Sequence, residues 1–323
     1  MTNRYYEIKR LLAAMALCVV VTMCAHAQSD AALSHFWVGR GYYNPAAAGE
    51  FSAIHLTLGS RMQWVEFKRA PMNFFITGDM PYKLMNHRLG LGVRAEYERI
   101  GLFSNTRIGA QLAYKRRFGK TTVSVGIQPG VFSQTFRGNE AITPADGDDK
   151  AIPNIAVSGT AFDANVGLFV SHPRYWAGAS VTHVTSPSIY LKASRESSTD
   201  YEFNVSRGYN FMAGGNIPIN NTLFEIQPSG MFYTTQKTWT AQVATVVRYN
   251  RTLNIGAGYR WKDAVTAFIG MNLKDAYIGY AYDYPVSAIS SATFGSHEVF
   301  VTYNVKLDNR EKNKNKQKSV RLM

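Results

Sequence analysis

The stretch Leu89-Gly-Leu-Gly-Val-Arg-Ala-Glu-Tyr-Glu98 indicates the fold class, because apolar side chains alternate in it with small or charged ones. In an extended chain this period of two puts Leu, Val, Ala and Tyr on one face and Gly, Arg and Glu on the other. The segments 107–115 and 252–261 repeat the alternation. The pattern predicts β-strands with one apolar face and one polar face, rather than helices.

About 14 segments of this kind follow one another after residue 50. They are 51–62, 72–81, 87–99, 105–118, 120–136, 161–171, 175–184, 208–218, 222–234, 238–249, 251–261, 264–273, 275–284 and 296–307. Most of them reach the length of roughly 9–11 residues that a tilted strand needs to cross a bilayer. We therefore predict an all-β protein, a transmembrane antiparallel β-barrel of about 14 strands in an outer membrane.

The connections between the segments alternate between short and long. The joints after even-numbered segments are short, as at 119–120 and 220–221, whereas 137–160, 185–207 and 285–295 are long. Outer-membrane barrels show this asymmetry, with tight periplasmic turns on one rim and longer loops outside. An even number of strands then places both ends of the barrel on the periplasmic side.

Other fold classes agree less well with the sequence. Strands of a soluble β-sandwich usually have about five or six residues, and a propeller would show a repeat of roughly 40–50 residues, which we do not find. A bundle of spanning helices needs about 20 consecutive apolar residues per helix, and only the run 11–25 approaches that length.

Aromatic residues make up 13% of the chain. Those near strand ends are expected to form girdles at the membrane interfaces: Tyr97, Tyr114, Trp176, Tyr249, Tyr259, Trp261 and Tyr284.

The N-terminal residues 1–27 have the pattern of a secretory signal peptide. Basic residues precede the apolar run 11–25, and Ala25-His26-Ala27 is a small-x-small cleavage pattern. A lipoprotein signal ending at Cys24 is disfavoured by Met23, which stands where a small residue is needed. Both cysteines lie in this segment. The remaining chain would therefore have no disulfide, no cysteine metal site and no cysteine nucleophile.

Four parts are expected along the chain: a signal peptide at 1–27, a periplasmic segment at 28–50, the barrel at 51–307 and a basic periplasmic tail at 308–323. The formal charge of the whole chain is +13. The tail is either a solvated end or a contact for an acidic partner or anionic lipid head groups. Its candidate contact residues are Lys312, Lys314, Lys316, Lys318 and Arg321. Nucleic acid is not expected as a partner of an exported protein.

Residue types that could catalyse a reaction or bind a metal are scattered along the sequence. We therefore expect no catalytic residue, no metal site and no cofactor. The histidines share no metal-ligand spacing, and nucleophile-elbow and phosphate-loop motifs are absent. The acidic cluster Asp146, Asp148 and Asp149 resembles part of a calcium loop but lacks the bidentate glutamate. Several charges should face the lumen, as a structural network or as the lining of a solute pore: Arg94, Glu96, Arg107, Asp163, Arg248 and Arg260.

A series of short motifs carries a resemblance to a known family. Leu33-Ser-His-Phe36, Tyr42-Tyr-Asn-Pro-Ala46 and Arg61-Met-Gln-Trp64 occur in the first part, and Tyr282-Asp-Tyr284 and Ser296-His-Glu-Val299 occur near the end. In this order the motifs resemble the PorP/SprF family of outer-membrane proteins of the type IX secretion and gliding machinery, over about 33–307. The motif residues, with structural or partner-binding roles, are Asn44, Pro45, Gly49, Arg61, Gln63, Trp64, Pro71, Asp79, Pro81, His297 and Glu298.

Each motif also has a structural interpretation. Asn44-Pro45 fits a turn before the first strand, and Gly49 fits a position that needs backbone freedom. Arg61 and Trp64 fall where the first strand meets its outer loop, as a girdle aromatic with its cation partner. His297-Glu298 begins the closing strand and could pin the seam of the barrel.

The resemblance implies a non-enzymatic outer-membrane component of type IX secretion. Its expected partners are outer-membrane lipids, periplasmic lipoprotein components of the secretion ring, and secreted proteins with a C-terminal sorting domain. Two alternatives remain open on the sequence: an outer-membrane channel for hydrophobic solutes, and a barrel enzyme whose side chains converge in the lumen.

Overall fold

The computed structural model describes residues 31–140, 155–191 and 201–307. In these residues 14 strands form one closed antiparallel β-barrel, as predicted. The strands are β1 Ala53–Met62, β2 Met72–Leu84, β3 His87–Ile100, β4 Phe103–Phe118, β5 Thr121–Arg137, β6 Ala156–His172, β7 Tyr175–Thr182, β8 Ser188–Leu191, β9 Tyr201–Asn204, β10 Gly208–Gly215, β11 Ile217–Pro218, β12 Phe224–Thr235, β13 Trp239–Tyr249, β14 Leu253–Arg260, β15 Ala264–Leu273, β16 Ala276–Pro285 and β17 Ser296–Lys306. The helical elements are α1 Arg40–Tyr43 and three 3-10 turns, Pro45–Ala47, Gly138–Glu140 and Ala288–Ser291.

Neighbouring barrel strands follow one another along the chain, and β1 pairs with β17 to close the wall. The strands β8 and β9 form a separate hairpin, and β11 is a short addition beside β12. The hairpin lies in the connection 185–207, where the sequence predicts only a loop. Its inward residue Ile189 is fully buried beside Phe132 and Val157. A strand of four residues is too short to show a period of two, which is why the sequence pattern misses it.

The wall has its apolar face outside and its polar face inside. In β3 the side chain of Val93 is 61% exposed, whereas that of the next residue, Arg94, is 6% exposed. In hydrocarbon every backbone polar group must be paired within the protein, and a closed sheet achieves this. The alternation predicted from the sequence is therefore confirmed, with the apolar side chains exposed on the outer face of the barrel.

Six of the seven aromatics predicted to form the interfacial girdles have exposed side chains. The prediction is wrong for Trp176. Its side chain is only 5% exposed and packs inside the barrel, with the Arg40 guanidinium 4.7 Å from the centre of its ring. The preceding residue, Tyr175, is 49% exposed and takes the outward position. Adjacent aromatics at a strand end look alike in sequence, and only the strand register decides which one faces lipid.

The short connections form tight turns on one rim. Gly119 has φ of +59° between β4 and β5, and Lys274 has φ of +47° between β15 and β16. Positive φ at the central residues matches the hairpin turns that fit the twist of antiparallel strands. The ends of the wall lie on this same rim, since Ala53 is paired with Lys306.

The residues that precede β1 lie within the barrel. Leu33, Phe36 and Tyr42 are at most 2% exposed, and hydrogen bonds join this segment to strands on both sides of the lumen, including Gln242 of β13 and Leu168 of β6. Where the sequence predicts a periplasmic segment at 28–50, the described residues 31–50 fill the lumen. We call residues 31–50 the plug.

Among the described residues, none of the helices has the length and apolar character to cross a membrane.

Candidate functional site

The lumen is filled by an aromatic cluster at the centre of the plug. Phe36, Tyr42 and Tyr43 are at most 5% exposed. They pack in one buried cluster with inward-facing aromatics of the wall, among them Phe75, Phe169, Phe268 and Phe300. A plug held by an apolar core of this kind is part of the folded barrel.

One end of the plug is held by buried charges, which we call the carboxylate anchor: Arg61, Arg260, Asp283 and Glu298. Arg61 Nη2 lies 2.6 Å from Asp283 Oδ2, and Arg61 Nη1 lies 3.2 Å from Glu298 Oε2. The Arg260 guanidinium lies 3.2 Å from the same Asp283 oxygen. All four side chains are at most 3% exposed. The positive charges of the two guanidinium groups therefore balance the negative charges of the two carboxylates in the interior.

The plug completes this anchor through Ser34 and His35. Their backbone N–H groups donate to the two oxygens of Glu298, each at 2.7 Å. The Ser34 hydroxyl lies 2.8 Å from Asp283 Oδ1 and accepts from Arg61 Nη1 at 2.8 Å. Because a buried charge is tolerated only when paired and hydrogen-bonded, the anchor and the plug depend on one another.

The anchor also spans the seam of the barrel. Arg61 of β1 is the direct cross-strand partner of Glu298 of β17, so the predicted role of Glu298 at the seam agrees with the structure. The predicted girdle role of Arg61 is wrong, because its side chain points inward and is 2% exposed.

Asn44 holds the middle of the plug. Its Nδ2 donates to the carbonyl oxygens of Leu168 at 2.8 Å and Ala179 at 3.2 Å, on two neighbouring strands. Its Oδ1 accepts from Ala46 N at 2.9 Å and so caps the 3-10 turn that begins at Pro45. The predicted turn at Asn44-Pro45 is present, and it packs on the inner wall.

A row of small residues makes room for this turn. Gly90, Ala113, Gly126, Gly167 and Ser180 are successive cross-strand partners from β3 to β7. A Cβ atom on Gly126 would lie 2.4 Å from Ala46 N, and one on Gly167 would lie 2.0 Å from Asn44 Oδ1. Glycine inside a strand commonly marks close approach of another backbone, and here that backbone is the plug.

The last turn of the plug is held by Asp79. Its Oδ1 accepts from Gly49 N at 2.6 Å, and Gly49 has φ of +67°, a conformation that a side chain would strain. Nearby, Arg40 Nη1 pairs with Glu50 Oε1 at 2.6 Å within the plug. The motif residues Asn44, Gly49 and Asp79 thus all take part in the contacts between the plug and the wall.

The predicted lumen charges form a network. Arg94 Nη2 lies 2.5 Å from Glu96 Oε2, and Arg107 Nη1 lies 3.2 Å from Glu96 Oε1. Tyr42 of the plug donates its hydroxyl to Glu96 at 2.6 Å. Burial, with the neighbouring Glu96 carboxylate, raises the pKa of Tyr42 well above its ordinary value, so the hydroxyl keeps its proton and remains a donor.

The other predicted lumen charges are paired as well. Asp163 Oδ2 lies 2.6 Å from His183 Nδ1, and Arg248 Nη1 lies 3.6 Å from Glu225 Oε2. Arg260 is part of the carboxylate anchor. The structural-network interpretation of the sequence is therefore the one that the structure supports. In the described ranges no group of His, Cys, Asp and Glu is arranged to hold a metal ion.

Most of the remaining motif residues lie away from the plug. Gln63 N donates to the Pro71 carbonyl at 2.9 Å across the base of the β1–β2 connection, and Trp64 N donates to Ser296 Oγ at 3.2 Å. Pro81 is the exception, since it lies in β2 opposite Gly90, one of the small residues that pack against the plug. His297 is outside the lumen, with its Nδ1 2.6 Å from the Tyr280 hydroxyl. The structure therefore divides the motif residues between the plug, the loop base and the outer wall.

Several predicted features lie outside the described residues. They are the signal peptide at 1–27 with Cys18 and Cys24, the acidic cluster Asp146, Asp148 and Asp149, and the tail residues Lys312, Lys314, Lys316, Lys318 and Arg321. They stay predictions.

A family model for the type IX secretion system membrane protein PorP/SprF matches residues 25–303 of the chain. This protein belongs to the PorP/SprF family. The match covers the plug, its anchors and nearly the whole barrel, and together with the barrel fold it points to the outer membrane. The resemblance carried by the sequence motifs is confirmed. Among curated proteins, no sequence matches this member.

Solved structures similar to this PorP/SprF member are outer-membrane proteins of low sequence identity. Acinetobacter baumannii Omp33 has 7% identity and a TM-score of 0.42, over 78% of this chain and 98% of that one. The P. putida toluene transporter TodX has 10% identity and a TM-score of 0.45, over 82% and 92%. BamA from Haemophilus ducreyi has 8% identity and a TM-score of 0.42, over 78% and 70%.

Sequence reasoning missed part of the site. Ser34, His35 and Asp283 lie in motif blocks but are not among the predicted site residues, and the row of small residues is not predicted at all. The signal for that row is glycine at inward positions of strands that are otherwise regular, as at Gly126 and Gly167.

Proposed function

We propose that this PorP/SprF member is a non-enzymatic outer-membrane component of type IX secretion that acts by binding proteins. Its partners would be periplasmic lipoproteins of the secretion ring, secreted proteins with a C-terminal sorting domain, or both. The observation that supports binding over transport is the plug. A lumen filled by the chain's own aromatic residues and closed by paired charges leaves its rims and loops as the surfaces for partners.

The alternative of a solute channel has some support from the cavities at the two ends of the plug. One, of about 330 Å³, lies at the rim with short turns and is lined by Trp37, Arg248 and Tyr277 among others. Another, of about 450 Å³, lies towards the long connections beside Phe132 and Phe203. Passage between them would require the plug to move, whereas binding at the rims would not.

The decisive experiment is deletion of the gene, followed by quantitative proteomics of the medium and the cell surface. Loss of many proteins that share a C-terminal sorting domain is expected for a core component, and loss of one large surface protein is expected for a dedicated partner. Complementation with the full chain must restore either phenotype. An unchanged set of secreted proteins would contradict the secretion role and favour the channel.

The basic tail provides a second test. Replacing Lys312, Lys314, Lys316, Lys318 and Arg321 by glutamine should reduce co-purification of the ring lipoproteins several-fold. The reduction should be larger at low salt, because exposed charges are screened beyond about 8 Å at physiological ionic strength. The matched control replaces the neutral tail residues Asn313, Asn315 and Gln317 by serine. Equal co-purification of both variants would remove the tail as a contact, and heat-modifiable migration on gels would verify that both barrels are folded.

A further inference from the structure

A shallow apolar groove lies on the lipid-facing side of the wall, across β17, β1, β2, β3 and β4. It encloses about 510 Å³, which is within the range of roughly 300–1,000 Å³ typical of ligand pockets. Small side chains, Ser60 and Ala95, lie between larger ones. The larger side chains include Leu58, Phe74, Ile76 and Ile108. The groove has the size and apolar lining suited to a hydrocarbon chain.

Three arginines converge at the end of the wall next to this groove, on the rim with the long connections. The guanidinium groups of Arg69, Arg99 and Arg137 lie 3.7, 3.4 and 3.6 Å from carboxylate oxygens of Glu140. Their side chains are 26% to 34% exposed. One carboxylate neutralises one guanidinium, so two positive charges remain uncompensated among the residues that the structure describes. We call these four residues the arginine cluster.

The groove and the arginine cluster are continuous through Tyr97. The Tyr97 side chain lines the groove, and its hydroxyl accepts from Arg137 Nη2 at 3.2 Å. Arg99 follows two residues later in the same strand and therefore lies on the same outward face, about 7 Å farther towards the rim. An amphiphile with its chain in the groove would have its head group at the arginines.

The position along the barrel decides which amphiphile fits. Long connections of outer-membrane barrels lie on the outer side, so the cluster is at the head-group level of the outer leaflet. A guanidinium binds phosphate through parallel hydrogen bonds, with charge assistance. A zwitterionic head group would gain less from two uncompensated positive charges than an anionic one.

We propose that the groove and the arginine cluster form a binding site for a phosphate-bearing lipid of the outer leaflet. One acyl chain lies in the groove between Phe74 and Ile108, and the phosphate accepts hydrogen bonds from Arg99 and Arg137. The site fixes a lipid at the β1–β4 face, next to the seam of the barrel, and is separate from the lumen.

Native mass spectrometry of the full chain in neutral detergent micelles tests the site. The probes are a phosphorylated acyl glucosamine lipid and the same lipid without phosphate. The triple variant Arg69→Gln, Arg99→Gln, Arg137→Gln should bind the phosphorylated lipid roughly tenfold or more weakly, since a charged hydrogen bond contributes about 1.5–3 kcal/mol and about 1.4 kcal/mol is tenfold. The control variant Arg88→Gln, Arg116→Gln, Arg117→Gln removes three exposed positive charges at the opposite rim and should bind normally.

A second pair of variants tests the groove. Ala95→Phe fills it, whereas Ala110→Phe adds the same side chain at an exposed outward position that does not line it. Only Ala95→Phe should displace the phosphorylated lipid. Equal binding of the two lipids, or equal loss in the arginine variant and its control, would overturn the proposal. A protein that co-purifies with the wild type and is lost from the triple variant, without any change in lipid, would overturn the lipid as occupant.

Discussion

The Glu298→Ala variant is expected to lose about 3–5 kcal/mol of the free energy of unfolding, the range measured when one partner of a buried ion pair is removed. The carboxylate is 1% exposed and accepts from Arg61, from the His35 ring and from two backbone N–H groups of the plug. Its removal leaves those donors buried without their acceptor. Each unsatisfied buried group costs about 1–3 kcal/mol, which agrees with a large effect.

The loss should affect both the plug and the wall, because Glu298 joins Ser34 and His35 to the seam between β1 and β17. We would measure urea unfolding in micelles by tryptophan fluorescence and, in parallel, proteolysis within residues 31–50. The matched control is Glu202→Ala in the β8–β9 hairpin, where the side chain is exposed and a change within about 0.5 kcal/mol is expected. If Glu298→Ala unfolds at the same urea concentration as this control, the anchor does not stabilise the barrel.

Glu298→Gln separates charge from hydrogen bonding at the same position. The amide keeps one acceptor oxygen for a plug N–H group but brings two donors into a site whose neighbours are already donors. We expect a loss between those of the wild type and Glu298→Ala. An amide variant as stable as the wild type would show that packing at this position, rather than the charge, holds the plug.

The strands could be predicted from sequence because lipid and lumen impose opposite polarity on alternate residues. Val93 must be apolar to face hydrocarbon, and Arg94 must be polar to join the inner network, so the period of two is visible without any tertiary information. The short turns could also be predicted, because their sequence signal is local: a joint as short as 119–120 leaves room only for a hairpin turn. These features extend over nearly the whole barrel.

The plug could not be predicted in the same way. Its residues 31–50 have no regular period, and their position depends on contacts that are distant along the chain. Ser34 and Asp283 are 249 residues apart, and Asn44 contacts carbonyl groups 124 and 135 residues away. Composition and spacing place such a segment before the first strand, but only the assembled wall shows a row of small residues with room for a backbone inside.

The second prediction with a large effect concerns the same row of small residues. The variant Gly126→Val is expected to open the lumen. A Cβ on Gly126 would lie 2.4 Å from Ala46 N and 2.5 Å from Pro45 C, so the side chain and the seated plug cannot occupy this place together. The wall at Gly126 is paired with Ala113 on one side and Gly167 on the other, so the plug is the part that can shift. We expect a folded barrel with a displaced plug.

Displacement should break the two hydrogen bonds from Asn44 Nδ2 to the wall. Because the valine side chain keeps the plug from its seat, these bonds, at about 1 kcal/mol each, no longer stabilise the seated state, and the equilibrium shifts towards the displaced plug roughly thirtyfold. Recordings in planar lipid bilayers should therefore show little conductance for the wild type and frequent open events for Gly126→Val. Limited proteolysis should cut the plug of the variant faster.

The matched control is Gly230→Val, where an added Cβ would lie 3.8 Å from its nearest atom and the neighbouring outward residue Phe232 is 40% exposed. This variant faces lipid and should keep the wild-type conductance. Gly167→Ala gives a milder form of the same test, because its Cβ would lie 2.0 Å from Asn44 Oδ1, a side-chain atom that can move. If Gly126→Val folds, as judged by heat-modifiable migration, and conducts no more than Gly230→Val, the plug does not close the lumen, and the argument for binding over transport loses its structural support.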